Sequence, residues 1–362
     1  MVKNKSLIFK EIPLGLPIPR KHLAVETRDF DLAQTPPAGG ITTKNFFASL
    51  DPYQRVRMRD PTIKSYTPAF ELGKPIRSHA VADVLKSDCQ KFNAGDLICG
   101  IIPTEEYSSL SKQDADACKK IENPYNLDPM FFLGPLGMPG LTAYASLHEI
   151  GKPVKGETIF ISAASGAVGQ LVGQFAKREG LHVIGSVGSD EKLAYIIKEL
   201  KFDGGFNYKT EKPADALARL AQNGVDIYFE NVGGEHLEAA LNAMNDFGRI
   251  IACGMISQYN ETDSERFGIK NLFLVVSKRL TMRGFIVSDQ NMGPLYAKER
   301  DENVSKWLHE GSLKAKMSVT DGIDNAPEGF VGMLQGKNFG KAVLKIADLG
   351  KVSSRSIKLC GC

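Results

Sequence analysis

Long apolar runs are absent from this chain. No stretch approaches the roughly 18 uninterrupted apolar residues that a transmembrane helix needs, so no membrane span is expected. The N-terminus, MVKNKSLIFKEIP, holds only a short apolar segment before Lys10, too little for the core of a signal peptide; a soluble, cytoplasmic protein is predicted. Charge of one sign is lacking too. With 45 Lys and Arg against 42 Asp and Glu, the net charge is +3, which leaves neither a nucleic-acid footprint nor an acidic tail. At 43% hydrophobic and 24% charged residues, the composition shows no disorder signature.

Framed cysteines and metal-ligand spacings are missing as well. Cys89, Cys99, Cys118, Cys253, Cys360 and Cys362 are scattered, and in a chain of this size they read as reduced thiols. The terminal Cys-Gly-Cys does not match C-a-a-X and has no histidine nearby, so a frayed tail is expected. Of His22, His79, His148, His182, His236 and His309, only His236 opens an H-x-E triplet (His236-Leu237-Glu238), and no C-x-x-C accompanies it. Neither a catalytic nor a structural zinc is therefore expected, and no metal is assigned.

What is present is a two-part texture. A length of 362 residues suits two domains rather than one core. The first 130 or so residues are rich in proline and turns, with short β-like pieces at Ala80–Leu85 and Leu97–Ile102 around a Gly95-Asp96 turn. Tyr107–Asn126 is polar and helix-compatible without a clear place. From Gly137 onward, strands Ile159–Ile161, Val183–Val187, Asp226–Glu230 and Arg249–Cys253 alternate with amphipathic helices, the pattern of a doubly wound parallel sheet. One helix carries Leu193, Ile196, Ile197 and Leu200 on one stripe behind an N-cap at Ser189. A strand Leu280–Val287 and a helix around Val304–Leu308 close this part. Short strands, a helix Pro327–Leu334 and a last strand Ala342–Ile346 follow. The expected division is 1–135 and 312–362 as one discontinuous β-rich domain, with 136–311 inserted as an α/β domain.

The most informative unit is residues 158–188, which read as strand, small-residue turn, helix and strand. Ala164-Ser165-Gly166-Ala167-Val168-Gly169 has the form A-x-G-x-x-G and opens a helix with Leu171, Val172, Phe175 and Ala176 on one face. Such a turn aims unpaired N–H groups and a helix dipole at one point, which suits a pyrophosphate. An ordinary tight turn is the competing reading.

No carboxylate stands at the tip of the second strand, Ser186-Val187-Gly188-Ser189, where NAD would require one for its ribose. Asp190 and Glu191 lie in the first helical turn, where acids commonly complement the dipole. Lys192 follows, and a Gly-Ser tip leaves room for a 2′-phosphate that Lys192 would neutralise. Tyr208 can cover the same phosphate or the adenine. NADP(H) is favoured, against a solvated Lys192 and a ribose-binding Asp190.

The chain resembles the zinc-independent medium-chain dehydrogenase/reductases, in particular prostaglandin reductases (leukotriene 12-hydroxydehydrogenases) and plant double-bond or alkenal reductases. The segments that carry the likeness are Ser49–Met58 (SLDPYQRVRM), Leu136–Tyr144 (LGMPGLTAY), Ala163–Gly169 (AASGAVG), Val187–Lys192 (VGSDEK), Phe206–Thr210 (FNYKT), Glu230–Gly234 (ENVGG), Cys253–Asn260 (CGMISQYN) and Gly336–Lys341 (GKNFGK). The resemblance implies a Rossmann-type α/β domain inserted into a β-rich, GroES-like catalytic domain, NADP(H) as cofactor, and a homodimer. It implies that Gly166, Ala167, Val168 and Gly169 hold the pyrophosphate, with Lys192 and Tyr208 on the 2′-phosphate side and Asn231 by the ribose. The loop with Cys253, Gly254, Ile256, Ser257 and Tyr259 would wrap the cofactor. Phe285, Ile286, Val287 and Asn338 would sit at its nicotinamide half. Tyr53 and Met138 would border the substrate, with Tyr259 nearest the reacting carbonyl. Ser65–Asp96 and Tyr107–Asn126 match the family loosely, and the tail past Asp348 lies beyond the likeness.

Without a Lewis acid, reducing a conjugated C=C asks less of a protein than oxidising an alcohol. Hydride goes to the β-carbon of an enone or enal, hydrogen-bond donors stabilise the enolate oxygen, and a proton reaches the α-carbon. Tyr259 and then Tyr53 are the catalytic candidates, since a neutral phenol can donate; loop packing is the bland alternative for Tyr259. Quinone reduction, secondary-alcohol oxidation and a non-catalytic nucleotide-binding scaffold remain as alternatives. Arg55, Arg57 and Arg59 would share one face if this stretch were a strand, either as a solvated edge or for a carboxylated substrate.

Overall fold

Short, wholly apolar runs build a parallel sheet covered on both faces. In the computed structural model, which describes residues 1–349, Thr158–Ile161 is buried at every position and His182–Val187 at all but its first. Six strands run in the order Gly204–Asn207, His182–Val187, Thr158–Ile161, Val225–Glu230, Met244–Ala252 and Thr281–Gly284, and every pairing is parallel. Chain order reverses between Thr158–Ile161 and Val225–Glu230, so a crevice opens at the carboxyl ends of these two strands. Helix Gly169–Arg178 packs Leu171, Val172, Phe175 and Ala176 against the sheet. Helix Asp190–Lys198 starts at the expected cap, where the Ser189 hydroxyl accepts from the Lys192 amide at 3.3 Å.

Several boundaries differ from expectation. Strand Gly204–Asn207 is invisible in the sequence pattern, because its two glycines remove the side chains that mark a strand. Gly205 is bare for a packing reason: a Cβ there would lie 2.9 Å from Leu193 Cδ1. The edge strand stops at Gly284 instead of Val287, and the following helix, Gly293–His309, starts well before Val304. Tyr107–Asn126 contains a strand, Tyr107–Leu110, a helix, Lys112–Ala117, and a two-residue strand, Lys119–Lys120. Cys360 and Cys362 lie outside the described residues.

The second sheet runs Met317–Asp321, Lys341–Lys345, Ile41–Ser49, Arg77–Ser87, Leu97–Pro103 and Lys119–Lys120, with Tyr107–Leu110 on Ile41–Ser49. Lys341–Lys345, which follows the α/β part, thus returns to pair antiparallel with Ile41–Ser49. A buried ion pair fastens this return. Lys341 is 1% exposed, and its Nζ donates to Asp51 Oδ1 at 2.9 Å, to Leu50 O at 2.7 Å and to Ala342 O at 2.9 Å. Asp51 Oδ2 accepts from Ser49 Oγ at 2.5 Å. Burial pushes the Lys341 pKa down, and the Asp51 carboxylate opposes that shift. Removing one member of such a pair strands the other charge. Asp51→Asn is therefore expected to lower stability by about 3–5 kcal/mol in urea unfolding, and Asp51→Leu combined with Lys341→Met to lower it less than either single change.

Candidate active site

The site begins at a turn that closes on a glycine with no space for a side chain. A Cβ on Gly169 would sit 2.5 Å from Ala163 O and 2.8 Å from Ala164 Cα. Ala164 stands where a first glycine is usual because the next strand makes room: a Cβ on Gly185 would lie 2.6 Å from Ala164 Cβ. Ala163 itself adopts φ +50°, a left-handed conformation uncommon for a residue with a side chain. Val168 caps the helix without a side-chain hydrogen bond, and within the first turn Gln170 N and Leu171 N already donate to Gly166 O at 3.1 Å and Val168 O at 3.0 Å. Gly166 and Ala167 are partly exposed at this point, and Gly166 bridges to Gly340 of the returning segment.

At the tip of the second strand, Gly188 faces the Tyr208 hydroxyl, which would lie 2.9 Å from a Cβ placed there. Lys192 donates through Nζ to Gly336 O at 2.7 Å. Burial, and after it the Lys209 ammonium, push the Lys192 pKa down. Lys209 was not anticipated as part of this cluster. Asp190, the alternative ribose ligand, accepts from Asn207 Nδ2 at 2.8 Å. The tip thus presents a phenol and two ammonium groups around a bare glycine, and this set fits a phosphate monoester.

Asn231 ends the Val225–Glu230 strand and is locked to the first strand, its Nδ2 donating to Ser162 O at 2.8 Å. Beneath it, Glu230 shapes the loop. Its fully buried carboxyl accepts on Oε1 from Tyr228 Oη at 2.8 Å, Ser162 Oγ at 3.3 Å, Val232 N at 2.6 Å and Gly233 N at 2.8 Å. Burial nevertheless pushes its pKa up, and Oε2 has no partner. Gly254 N returns to Glu230 O at 3.0 Å, Ile256 N to Asn231 O at 3.1 Å and Ser257 N to Val232 O at 3.0 Å, so the 253–259 loop lies against 230–232. Tyr259 folds over this loop and accepts from Met255 N at 3.4 Å.

The tyrosines converge. Burial is the main cause raising the Tyr53 pKa and pushing that of Tyr259 up to about 12, so both phenols are protonated at neutral pH. A third, Tyr66, lies within electrostatic reach of both and of Cys253. Sequence reading missed Tyr66, because it sits in the loosely matching stretch after Ser65. The Cys253 thiol is half-buried, and its pKa is pushed up to about 12 by desolvation, which keeps it protonated rather than nucleophilic. A cavity of about 700 Å³ opens beside Tyr66, lined also by Ile12, Arg59, Ile63, Phe70 and Leu72. Met138 begins the Met138–Ser146 helix, its sulfur accepting from Thr142 Oγ1 at 3.4 Å. Phe285, Ile286 and Val287 are partly exposed beyond the edge strand. Asn338 Nδ2 donates to Gly340 O at 2.8 Å, next to the Gly166 bridge.

The arginine triplet does not form a common face. Tyr53–Arg57 is a helix, so the three side chains splay apart. Arg57 covers the Phe70 ring at 4.2 Å and donates to Pro68 O at 3.0 Å; Arg59 donates to Ile63 O at 2.9 Å and Thr67 O at 2.6 Å. These guanidinium groups hold backbone, not an anion site. The residues do not fit a zinc ion either: among the described residues no three His, Cys, Asp or Glu side chains converge.

Comparison with known proteins agrees with this geometry. The family profile described as zinc-binding dehydrogenase matches residues 167–300, and that described as the N-terminal domain of oxidoreductase matches residues 5–119. The chain is 57% identical to the NADP-dependent oxidoreductase RED1 of Cochliobolus heterostrophus, covering 96% of this chain and 99% of that one. It is 43% identical to the NADP-dependent 2-alkenal reductase of Nicotiana tabacum, covering 96% and 98%. The crystal structure of CurA from Vibrio vulnificus in complex with NADPH superposes with a TM-score of 0.87 at 33% identity, covering 95% and 100%. The chain belongs to the medium-chain dehydrogenase/reductase superfamily of oxidoreductases, in the branch that holds these NADP-dependent enzymes.

Proposed function

We propose that this oxidoreductase uses NADPH to reduce the C=C bond of α,β-unsaturated ketones and aldehydes without a metal. The observation that carries the reading is the position of Tyr66 within electrostatic reach of both Tyr53 and Tyr259, which puts three neutral phenols in one neighbourhood. Residues 136–311 form the cofactor domain in this reading, and 1–135 with 312–362 the catalytic domain. Gly166, Ala167, Val168 and Gly169 hold the pyrophosphate; Lys192, Tyr208 and Lys209 surround the 2′-phosphate. Asn231, Cys253, Gly254, Ile256 and Ser257 line the ribose side, and Phe285, Ile286, Val287 and Asn338 the nicotinamide side. NADPH, once bound, supplies the hydride that the β-carbon receives.

The protein's own contribution is polarisation and exclusion of water. Tyr259 donates its phenolic proton toward the acceptor carbonyl, where negative charge develops as the alkene is reduced. Tyr53, Tyr66 and Met138 wall the acceptor, and the α-carbon takes its proton from a phenol or water. A neutral donor keeps its proton until pH approaches about 12, so alkaline loss of activity well below that value arises elsewhere.

A homodimer belongs to the same proposal. The edge strand Thr281–Gly284 carries no proline, and Phe247, Phe273 and Val276, which is 80% exposed, form apolar surface near it. Sedimentation should give twice the chain mass, and Phe273→Glu with Val276→Glu should give the single-chain mass.

With NADPH deuterated at C4 and a simple enone, deuterium is expected at the β-carbon of a saturated ketone. Label at the carbinol carbon points to C=O reduction, and stoichiometric NADPH binding without turnover of any acceptor points to a non-catalytic role. Tyr259→Phe should lower kcat at least about tenfold, since a lost transition-state donor commonly removes about 10²-fold or more, while NADPH affinity changes little. Lys192→Ala should weaken NADPH by about 1–3 kcal/mol, as for a lost hydrogen bond to a charged group, and leave NADH unchanged in a fluorescence titration.

A further inference from the structure

Arg55 is the one arginine of the triplet that leaves its own neighbourhood. It is only 7% exposed, and its guanidinium reaches two other stretches of chain. Nε donates to Asn260 Oδ1 at 2.9 Å, while Nη2 donates to Gly15 O at 2.8 Å and Pro13 O at 3.4 Å. Asn260 directly follows Tyr259, and Arg55 lies two residues after Tyr53, within the Tyr53–Arg57 helix. One side chain therefore joins the segment that presents one phenol to the segment that presents the other.

We propose that Arg55 is a positioning residue whose bridge to Asn260 sets the spacing of Tyr53 and Tyr259 across the cleft. This rests on the reading that those phenols serve enone reduction. The physical basis is a planar, rigid fork held in a buried setting. A guanidinium loses little freedom per bond formed, and its charge-assisted bonds are stronger than neutral ones. No carboxylate pairs with Arg55 among the described residues, so its charge is balanced by carbonyl oxygens alone. Burial accordingly lowers its pKa. Losing one acceptor would leave a buried cation under-solvated, which keeps the three segments together.

The bridge also reaches the mouth of the cleft. A Cβ on Gly15 would lie 3.5 Å from the Asn260 carbonyl oxygen, so the N-terminal loop rests on the residue that Arg55 holds. That loop exposes Leu14 at 91% and Ile18 at 53%. Freeing Arg55 would loosen the lip and the Tyr259 loop together, whereas a local packing role would loosen neither at that distance.

The test uses the full chain with saturating NADPH and but-3-en-2-one, comparing Arg55→Met, Arg55→Lys, Asn260→Ala, Asn260→Asp and the Arg55→Met/Asn260→Ala double variant. Arg55→Met and Asn260→Ala should each lower kcat about tenfold or more, since small misplacements of a reacting group carry losses of that order. The double variant should be no worse than the deeper single one, the sign of one shared linkage. Asn260→Asp, which gives the fork a carboxylate, should stay within about threefold of the parent. Hydrogen exchange should quicken in 253–260 and in 12–19 in Arg55→Met, or in Arg55→Lys if the methionine variant does not fold. Multiplying losses, an unchanged kcat, or an Asn260→Asp as impaired as Asn260→Ala would overturn the proposal. A parent protein that reduces no enone would remove the functional reading instead, and the exchange measurement would then decide the bridge alone: faster exchange in both segments supports it, unchanged exchange overturns it.

Discussion

One steric constraint organises the functional half of this molecule: where the turn after Thr158–Ile161 meets helix Gly169–Arg178, Gly169 and its neighbour Gly185 lie too close to other chain to carry a side chain. Gly169 has Ala163 O within 2.5 Å of any Cβ it might carry, and Gly185 has Ala164 Cβ within 2.6 Å. The returning segment meets the same limit. Gly340, at φ +85°, bridges Gly166, and a Cβ on it would sit 2.0 Å from Lys316 O. Three chain segments distant in sequence thus approach backbone to backbone at one place. This brings the start of helix Gly169–Arg178, the Asn338 side chain and the Tyr259 loop around a single crevice, and the parallel sheet beneath supplies the rigidity.

Electrostatics then divides the crevice into two ends of different character. At the Gly188 tip, burial and after it the Lys209 ammonium push the Lys192 pKa down, a setting that an anion beside Lys192 would relieve. The opposite end holds phenols and a thiol that burial keeps neutral, the thiol pushed to about 12, beside a carboxyl, Glu230, whose pKa burial raises despite four donors on Oε1. A neutral end with hydrogen-bond donors stabilises charge that develops during reaction better than charge already present. In the proposed reading that distinction favours an uncharged acceptor over an acid, while Arg57, beside Tyr53, and Arg59, on the wall of the Tyr66 cavity, are engaged by backbone carbonyls.

How much of this was legible in the residues follows from the range over which each feature is encoded. The parallel strands, the Ser189 cap and the small-residue turn are written in contiguous patterns of period, capping and size, and all three stand where the pattern puts them. The A-x-G-x-x-G departure was visible, but its reason was not, because Gly185 compensates from a neighbouring strand. Strand Gly204–Asn207 escaped because glycines chosen for close packing erase strand propensity. Tyr66, Glu230 and Lys209 escaped for another reason: their roles depend on which loops fold over which, and no spacing in the sequence records that.

The fate of the basic residues carries the synthesis one step further. Lys192 takes Gly336 O, Arg55 takes Gly15 O, Lys341 takes Leu50 O, Lys278 takes Leu241, Asn242 and Met244 carbonyls, and Arg300 takes Pro135 and Gly137 carbonyls. Each cation joins segments far apart in sequence through carbonyl oxygens that the secondary structure leaves unpaired. A carbonyl is available at every residue, so such a clamp needs only one side chain at a chosen position, whereas an ion pair needs two. The slight net charge comes from 45 basic against 42 acidic residues, and these carbonyl clamps stand beside ion pairs such as Arg249–Glu157 and Arg77–Asp114. Lys192 is the informative exception, since an ammonium has three donors and Gly336 O uses one. In the proposed reading, a phosphate on the ribose would take the remaining donors, complete the shell and tie the returning segment to the cofactor domain.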